Sequence, residues 1–369
     1  MRVVVTGQVG LDKKAFISKV AGLAADQGFE LTTANVGDMM YAEAPDVMPG
    51  RILDLPLSRL NSLRRSIFKD VLATCKEQSN VLVNTHATFR WRHGLFSAFD
   101  HDLMGQLDAD LYIVMVDNVD STHYRLVRDG HLDHTLKDIM VWREEEILAT
   151  ELLSQIVRGH GCCYIMAVGE DESTAQTVVD LIFRPQKKKA YISFPMSHVT
   201  DMPDLLGEID AFRRELKRCF TCFDPGDLEE KYLTSLALEA AQNGLRTVET
   251  GPPGGKVSLD TAQLLDIIAD IDGQIYARDF KLIDQADMIV SLIPALPDGR
   301  PGLSSGVERE LQHAHEATKE VFVIWKPQAE PSPFVTETAT KVFSSTNEAV
   351  QYFHDNDYIP ADSTGTLFG

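Results

Sequence analysis

Arg2-Val3-Val4-Val5-Thr6-Gly7-Gln8-Val9-Gly10-Leu11-Asp12-Lys13-Lys14 opens with β-branched residues, turns at two glycines and enters an amphipathic stretch over residues 13–27. Strand, glycine turn and helix in that order form the layout of a loop that cradles phosphate on backbone N–H groups at a helix N-terminus. Gly7 and Lys13 fit the pattern G-x-x-x-x-G-K-[ST], but Asp12 stands at the second glycine and Lys14 at the cation-binding hydroxyl. A carboxylate there sets negative charge beside a phosphate, and an ammonium cannot ligate a cation. Gly7, Gly10 and Lys13 are the nucleotide-binding candidates of this loop, with ATP or another nucleotide as the ligand it would take.

Outward from this unit, apolar runs of strand length alternate with helical patterns along the whole chain, which predicts parallel α/β architecture. Strands are expected at residues 2–6, 81–84, 111–116 and 164–168, with helices over 13–27, 57–77 and 143–159. Phe183-Arg184-Pro185-Gln186-Lys187-Lys188-Lys189 breaks the pattern with a proline and a charge run, and a fresh strand at 190–194 follows. Helices are expected at 205–219, 227–243, 258–271, 275–286, 305–317 and 347–354, and strands at 288–293, 320–325 and 341–344. Gly251-Pro252-Pro253-Gly254-Gly255 must be a loop. The predicted organisation is two parallel-sheet α/β domains, residues 1–186 and 187–357, with a tail at 358–369.

The chain has 369 residues, too long for one ordinary domain and comfortable for two. Thirty-five basic against fifty-five acidic residues give a formal charge of −20, which repels nucleic acid unless a basic groove is concentrated somewhere. Lys187-Lys188-Lys189 alone does not make one. No apolar stretch approaches the ~20 residues of a membrane helix, so neither nucleic acid nor membrane is an expected partner. Five cysteines without a framework fit a reducing, cytoplasmic setting, and the single Cys219-Phe220-Thr221-Cys222 lacks the further ligands of a metal site.

More of the first half shares one pattern. Asn35-Val36-Gly37-Asp38-Met39-Met40, Val81-Leu82-Val83-Asn84-Thr85-His86, Asp110-Leu111-Tyr112-Ile113-Val114 and the lid-like Arg125-Leu126-Val127-Arg128-Asp129 accompany the loop. Together they resemble the archaeal-type adenylate kinases, a family of P-loop nucleoside monophosphate kinases. The departures bear on activity: Asn84 replaces an aspartate that would act through Mg²⁺, and His131-Leu132-Asp133-His134 stands where lid arginines would follow. Phosphoryl transfer depends on metal and cationic stabilisation of the transferring group. The resemblance thus implies a kinase-like domain that senses a nucleotide or serves assembly, with residual kinase activity as a lesser alternative.

In the second half, Ala190-Tyr191-Ile192-Ser193-Phe194-Pro195-Met196-Ser197 is a strand ending in hydroxyl residues, where open α/β sheets bind ligands. Asp279-Phe280 precedes Ala286-Asp287 and the strand at 288–293. Gly302-Leu303-Ser304-Ser305-Gly306-Val307-Glu308-Arg309-Glu310-Leu311 is a glycine–serine loop opening a helix. These features, in this order, resemble the nucleoside 2-deoxyribosyltransferase superfamily, including its 2′-deoxynucleoside 5′-phosphate N-hydrolases. The resemblance implies a flavodoxin-like domain, a nucleotide or nucleoside substrate, no cofactor, no metal, and a homo-oligomer.

Cleavage of an N-glycosidic bond passes through an oxocarbenium-like state, which a carboxylate beneath the anomeric carbon stabilises or captures as an ester. Glu310 is the expected nucleophile. Asp279 would hold a sugar hydroxyl and orient the glutamate, or pass a proton to the leaving base. Tyr191, Ser193, Ser197, Ser304 and Gly306 are the expected substrate-binding residues, Ser304 at the position the resemblance gives to a 5′-phosphate. Met196 and His198 replace the first-loop arginine of those hydrolases. A nucleoside or nucleotide N-glycosidase is the expected function. The alternatives are a non-catalytic nucleotide-sensing protein and an NAD glycohydrolase.

Overall fold

The computed structural model describes residues 1–48, 50–91, 94–131, 133–169, 172–196, 199 and 202–359. The chain forms two compact units. The first unites Met1–Ile182 with Asp227–Gln274, and the second unites Phe183–Gly226 with the chain from Ile275 onward. The division at residue 186 therefore falls close to the first crossing. It misses that residues 227–274, expected in the second domain, pack with the first. No helix among the described residues is long and apolar enough to cross a membrane.

The first unit is built on a parallel five-stranded sheet in the order Thr32–Asn35, Val81–Asn84, Arg2–Thr6, Leu111–Val116, Cys163–Ala167. Every residue of Leu111–Val116 is buried, which is why that strand is a continuous apolar run and not an alternating one. The helix Leu57–Glu77 lays Leu60, Ile67, Phe68 and Val71 against the sheet at helical spacing. The helix Leu136–Val157 starts seven residues before its expected beginning at 143. Thr135 and Asp138 form a capping box there, each side chain taking up the other's backbone N–H.

Residues 227–274 fasten to this unit through a buried ion pair. Arg143 donates to both oxygens of Glu230, at 2.8 and 3.0 Å, and both side chains are almost wholly shielded from solvent. Glu230 also accepts from the N–H of Val119, the first residue of the helix Val119–Arg128, at 2.7 Å. The segment carries an antiparallel hairpin, Thr247–Thr250 with Val257–Asp260, around the Gly251–Gly255 loop. Residues 258–260 thus belong to a strand and not to the expected helix. Val257 and Leu259 are buried while Ser258 and Asp260 are exposed, a period of two.

The second unit is also a parallel five-stranded sheet, ordered Lys341–Phe343, Glu320–Trp325, Met288–Ile293, Lys189–Ser193, Thr221–Phe223. Counted along this unit, that is the doubly wound order 2-1-3-4-5, as in flavodoxin-like folds. In open sheets of this order the place where ligands bind is beyond the carboxyl ends of the first and third strands, where successive connections leave toward opposite edges. Tyr358 and Ile359, expected in a loose tail, pack onto the core: the Tyr358 ring stands edge-on to Phe322 at 5.5 Å, and Ile359 is buried.

Candidate functional site

In the second unit, the alternation of the strand Lys189–Ser193 turns Tyr191 and Ser193 to the same face. Glu310 comes from the helix Ser305–Glu316, which leaves the neighbouring strand Met288–Ile293 through the glycine–serine loop. The Tyr191 hydroxyl donates to Glu310 Oε1 at 3.0 Å, and the Ser193 hydroxyl donates to Oε2 at 2.6 Å. Ser193 in turn accepts from Ser291, its register partner on the adjacent strand, at 3.1 Å. The carboxylate is thus fixed on both oxygens by hydroxyls that are themselves fixed by the sheet.

Asp279 approaches the same place from the helix Ile268–Asp284. One of its oxygens, Oδ1, is buried and has no hydrogen-bond partner among the described residues. Burial pushes Asp279 up to about 6, with the charge of Arg278 opposing. Burial, and next the negative charge of Asp279, push Glu310 up to about 7 against the pull of the Ser193 and Tyr191 hydrogen bonds. Tyr191 is held well above its ordinary range, first by burial and then by the charges of Glu310 and Asp279. Two carboxyls poised near neutral pH at the end of a sheet form a pair able to share acid and nucleophile duties.

Other expected site residues are placed differently. Ser193 and Tyr191 are committed to Glu310, so both position the carboxylate. Ser304 is the N-cap of its helix, its oxygen accepting from the Val307 N–H at 3.2 Å. Among the described residues its own O–H proton meets no acceptor and can be donated. A Cβ at Gly306 would meet only the Ser304 hydroxyl, at an ordinary 3.7 Å, so packing does not demand glycine there. Ser197 lies outside the described residues.

In the first unit the phosphate loop has the expected strand–turn–helix form. Gly7 and Gly10 both have positive φ, 136° and 88°, and a Cβ on Gly7 would stand 2.8 Å from the Met115 carbonyl. Backbone geometry alone therefore requires both glycines. Lys13, only 7% exposed, turns back to donate to the Gly7 carbonyl and bonds His86 Nδ1 at 3.0 Å. Burial pulls Lys13 down to about 7, opposed by the charge of Glu146. Burial, with Lys13 beside it, holds His86 well below its ordinary range, so its ring accepts as a neutral imidazole.

Glu146 was not foreseen, nor was Arg64. Glu146 accepts from the N–H groups of Gly7 (3.0 Å), Ala87 (2.7 Å) and Thr88 (2.8 Å) and from the Thr88 hydroxyl (2.5 Å). Arg64 lies 4.7 Å over the Phe89 ring and donates to the Ser97 carbonyl at 3.3 Å. Burial pulls Arg64 down to about 10. Together with Lys13, Asn35, Tyr41, His86 and Phe89, Arg64 lines a cleft of about 380 Å³ beside the loop. A signal for both residues did exist: Arg64 falls four residues after Leu60, and Glu146 three after Arg143, each at a core position of an amphipathic helix. A charge at such a position needs a partner or a ligand.

Comparison with known proteins agrees with this geometry over the first half. A family model described as an AAA domain matches residues 6–143. The adenylate kinase of Pyrococcus furiosus is 23% identical over 185 residues, covering 49% of this chain and 92% of that protein. The adenylate kinase of Pyrococcus abyssi is 22% identical over 187 residues, with the same coverage. The N-terminal portion of the chain is P-loop kinase-like, and an α/β unit with a second parallel sheet accompanies it.

Proposed function

We propose that the second unit cleaves or exchanges the N-glycosidic bond of a nucleoside or nucleoside 5′-monophosphate, with Glu310 as nucleophile. The observation that carries this is the grip of Tyr191 and Ser193 on both oxygens of Glu310, close to Asp279, whose Oδ1 is buried without a hydrogen-bond partner among the described residues. The ionised Glu310 attacks the anomeric carbon as the bond to the base breaks, giving a glycosyl ester. Asp279 passes its proton to the departing base nitrogen. Water then attacks the same carbon, gives a proton back to Asp279 and releases Glu310 as carboxylate; a second base in place of water gives exchange. Ser304, with its O–H at a helix N-terminus, is the group here that suits a 5′-phosphate.

The test is incubation of the full chain with deoxynucleoside monophosphates, ribonucleoside monophosphates, nucleosides and NAD, with released base resolved by chromatography. Base release from at least one substrate is expected. Release from none of them would sink the enzymatic reading and leave a binding protein.

For the first unit we propose binding of a nucleotide without phosphoryl transfer. Its support is Arg64, a buried cation that lines the cleft and donates to the Ser97 carbonyl beside the Phe89 ring. Several features oppose transfer. Lys13 is turned onto Gly7 and His86, Asn84 spends its amide on Asn35 Oδ1 at 3.0 Å, and Asp12 occupies the second glycine position. Arg64→Ala is expected to weaken mononucleotide binding by about 10- to 100-fold, the worth of a charge-assisted contact, as read by titration calorimetry. An unchanged Kd would place the nucleotide elsewhere or nowhere.

A further inference from the structure

We propose that Asp12 is a built-in occupant of the phosphate loop, which makes the first unit reject di- and triphosphates while its cleft stays open to monophosphates. The proposal rests on the nucleotide-binding reading of that unit and adds to it the discrimination among phosphate esters.

Asp12 is the N-cap of the helix Lys13–Asp26, yet its side chain makes no capping hydrogen bond. Its backbone is left-handed, φ 49°, the conformation a glycine would take at no cost. The carboxylate instead reaches the helix Val119–Arg128. Arg128 Nη1 and Nη2 donate to its two oxygens at 2.9 and 2.8 Å, and Arg125 Nε stands 3.6 Å away. Arg128 also forks onto Asp129, at 2.8 and 3.0 Å, and Arg125 onto Asp117 at 2.6 Å and the Gly10 carbonyl at 3.3 Å. The hydrogen bond from Arg128 holds Asp12 below the usual carboxylate range, so it is ionised at neutral pH.

The cationic side chains that would greet a polyphosphate, and the Gly7 N–H, are therefore already engaged by the protein. Arg128 and Arg125 face Asp12, Lys13 faces the Gly7 carbonyl and His86, and the Gly7 N–H faces Glu146. A chain of two or three phosphates lying along the loop would have to displace a carboxylate from a bidentate arginine pair and then lie beside that carboxylate. Planar two-point pairs of this kind hold both partners in one geometry. A single phosphate has another cation to meet. Arg64 projects from the helix Leu57–Glu77, not from the loop, and among the described residues no carboxylate within salt-bridge distance neutralises it.

Titration of the full-length chain with inorganic tripolyphosphate, in the absence of divalent cations, tests this. Wild type is expected to give no saturable binding at millimolar concentration. Asp12→Gly is expected to bind at least about tenfold more tightly. Asp12→Asn, which removes the charge but tolerates the left-handed backbone, should shift in the same direction. Adding Arg128→Ala to Asp12→Gly should erase the gain. The proposal is overturned if wild type binds tripolyphosphate as tightly as the variants, or if neither variant gains affinity. Mononucleotide titrations of the same proteins separate the two claims: loss of mononucleotide binding in wild type refutes the nucleotide reading, whereas the tripolyphosphate gain is scored independently of it.

Discussion

Glu310→Gln is expected to reduce base release by about 10³-fold or more while the chain stays folded. Glutamine keeps an oxygen for Tyr191 and an amide that can donate to Ser193, but it can neither form the glycosyl ester nor carry the charge that stabilises the oxocarbenium-like state. Loss of a covalent nucleophile removes a transition-state interaction, so the drop should fall on kcat with KM little changed. Kinetics of base release under saturating substrate measures it; a variant retaining a tenth of the activity would remove Glu310 from the nucleophile role. In wild type, kcat/KM should be bell-shaped, rising as Glu310 becomes ionised and falling as Asp279 loses the proton it gives to the base, with its maximum between about pH 6 and 7, because burial pushes Asp279 up to about 6 and Glu310 up to about 7.

The same substitution has a stability consequence of opposite sign. Glu310 binds its proton more tightly folded than unfolded, being raised from 4.5 to about 7. Between those values the folded chain holds more protons than the unfolded one, so stability falls as pH rises through the window. The stabilisation is complete below the unfolded value and gone above about pH 7, a span of up to about 3 kcal/mol. Glu310→Gln carries no such proton. It should therefore denature at higher urea than wild type at pH 8, with the difference shrinking at pH 5. A glutamate retained for structure alone would give the reverse order at pH 8.

Glu230→Ala should destabilise the first unit by about 3–5 kcal/mol, the cost of leaving a buried cation without its partner. Arg143 would lose both its hydrogen bonds to Glu230, and the Val119 N–H would lose its acceptor at the start of a helix. The loss should be concentrated in residues 227–274 and around Val119–Arg128, seen as faster amide hydrogen exchange there before the sheet of the unit is affected. Replacing both Arg143 and Glu230 by apolar residues should recover much of the stability, since the desolvation cost disappears with the charges. A loss under 1 kcal/mol for the single change would mean that water reaches Arg143 on its own.

Much of this architecture was legible in residue order. The strands Arg2–Thr6, Val81–Asn84, Leu111–Val116, Met288–Ile293 and Glu320–Trp325, and the helix Leu57–Glu77, were expected with the bounds they have. Each is a strongly periodic or largely apolar segment, where local pattern and burial agree. The hairpin Thr247–Thr250 with Val257–Asp260 was missed, because its short strands carry only one and two apolar residues, too little pattern to outweigh a neighbouring helical one. The extra turns at the start of Leu136–Val157 depended on a capping box.

The site divides in the same way. Glu310, Asp279, Tyr191 and Ser193 could be named from motif order, since each sits near a strand end or on a helix whose start is marked by glycine and serine. Their mutual contacts could not, because which hydroxyl meets which carboxylate oxygen depends on register between the strand Lys189–Ser193 and Met288–Ile293 and on how the helix Ser305–Glu316 lies over them. Sequence alone determined that the chain is parallel α/β, that it opens on an altered phosphate loop and that it carries two carboxyls in a recognisable order, because these follow from local periodicity and residue chemistry. Only the tertiary structure decided that residues 227–274 return to the first unit, that Asp12 is taken by Arg128, and that Arg64 and Glu146 are buried beside the loop. Those facts arise from contacts between residues far apart in the chain, and the side chains that make them carry no mark of their partner.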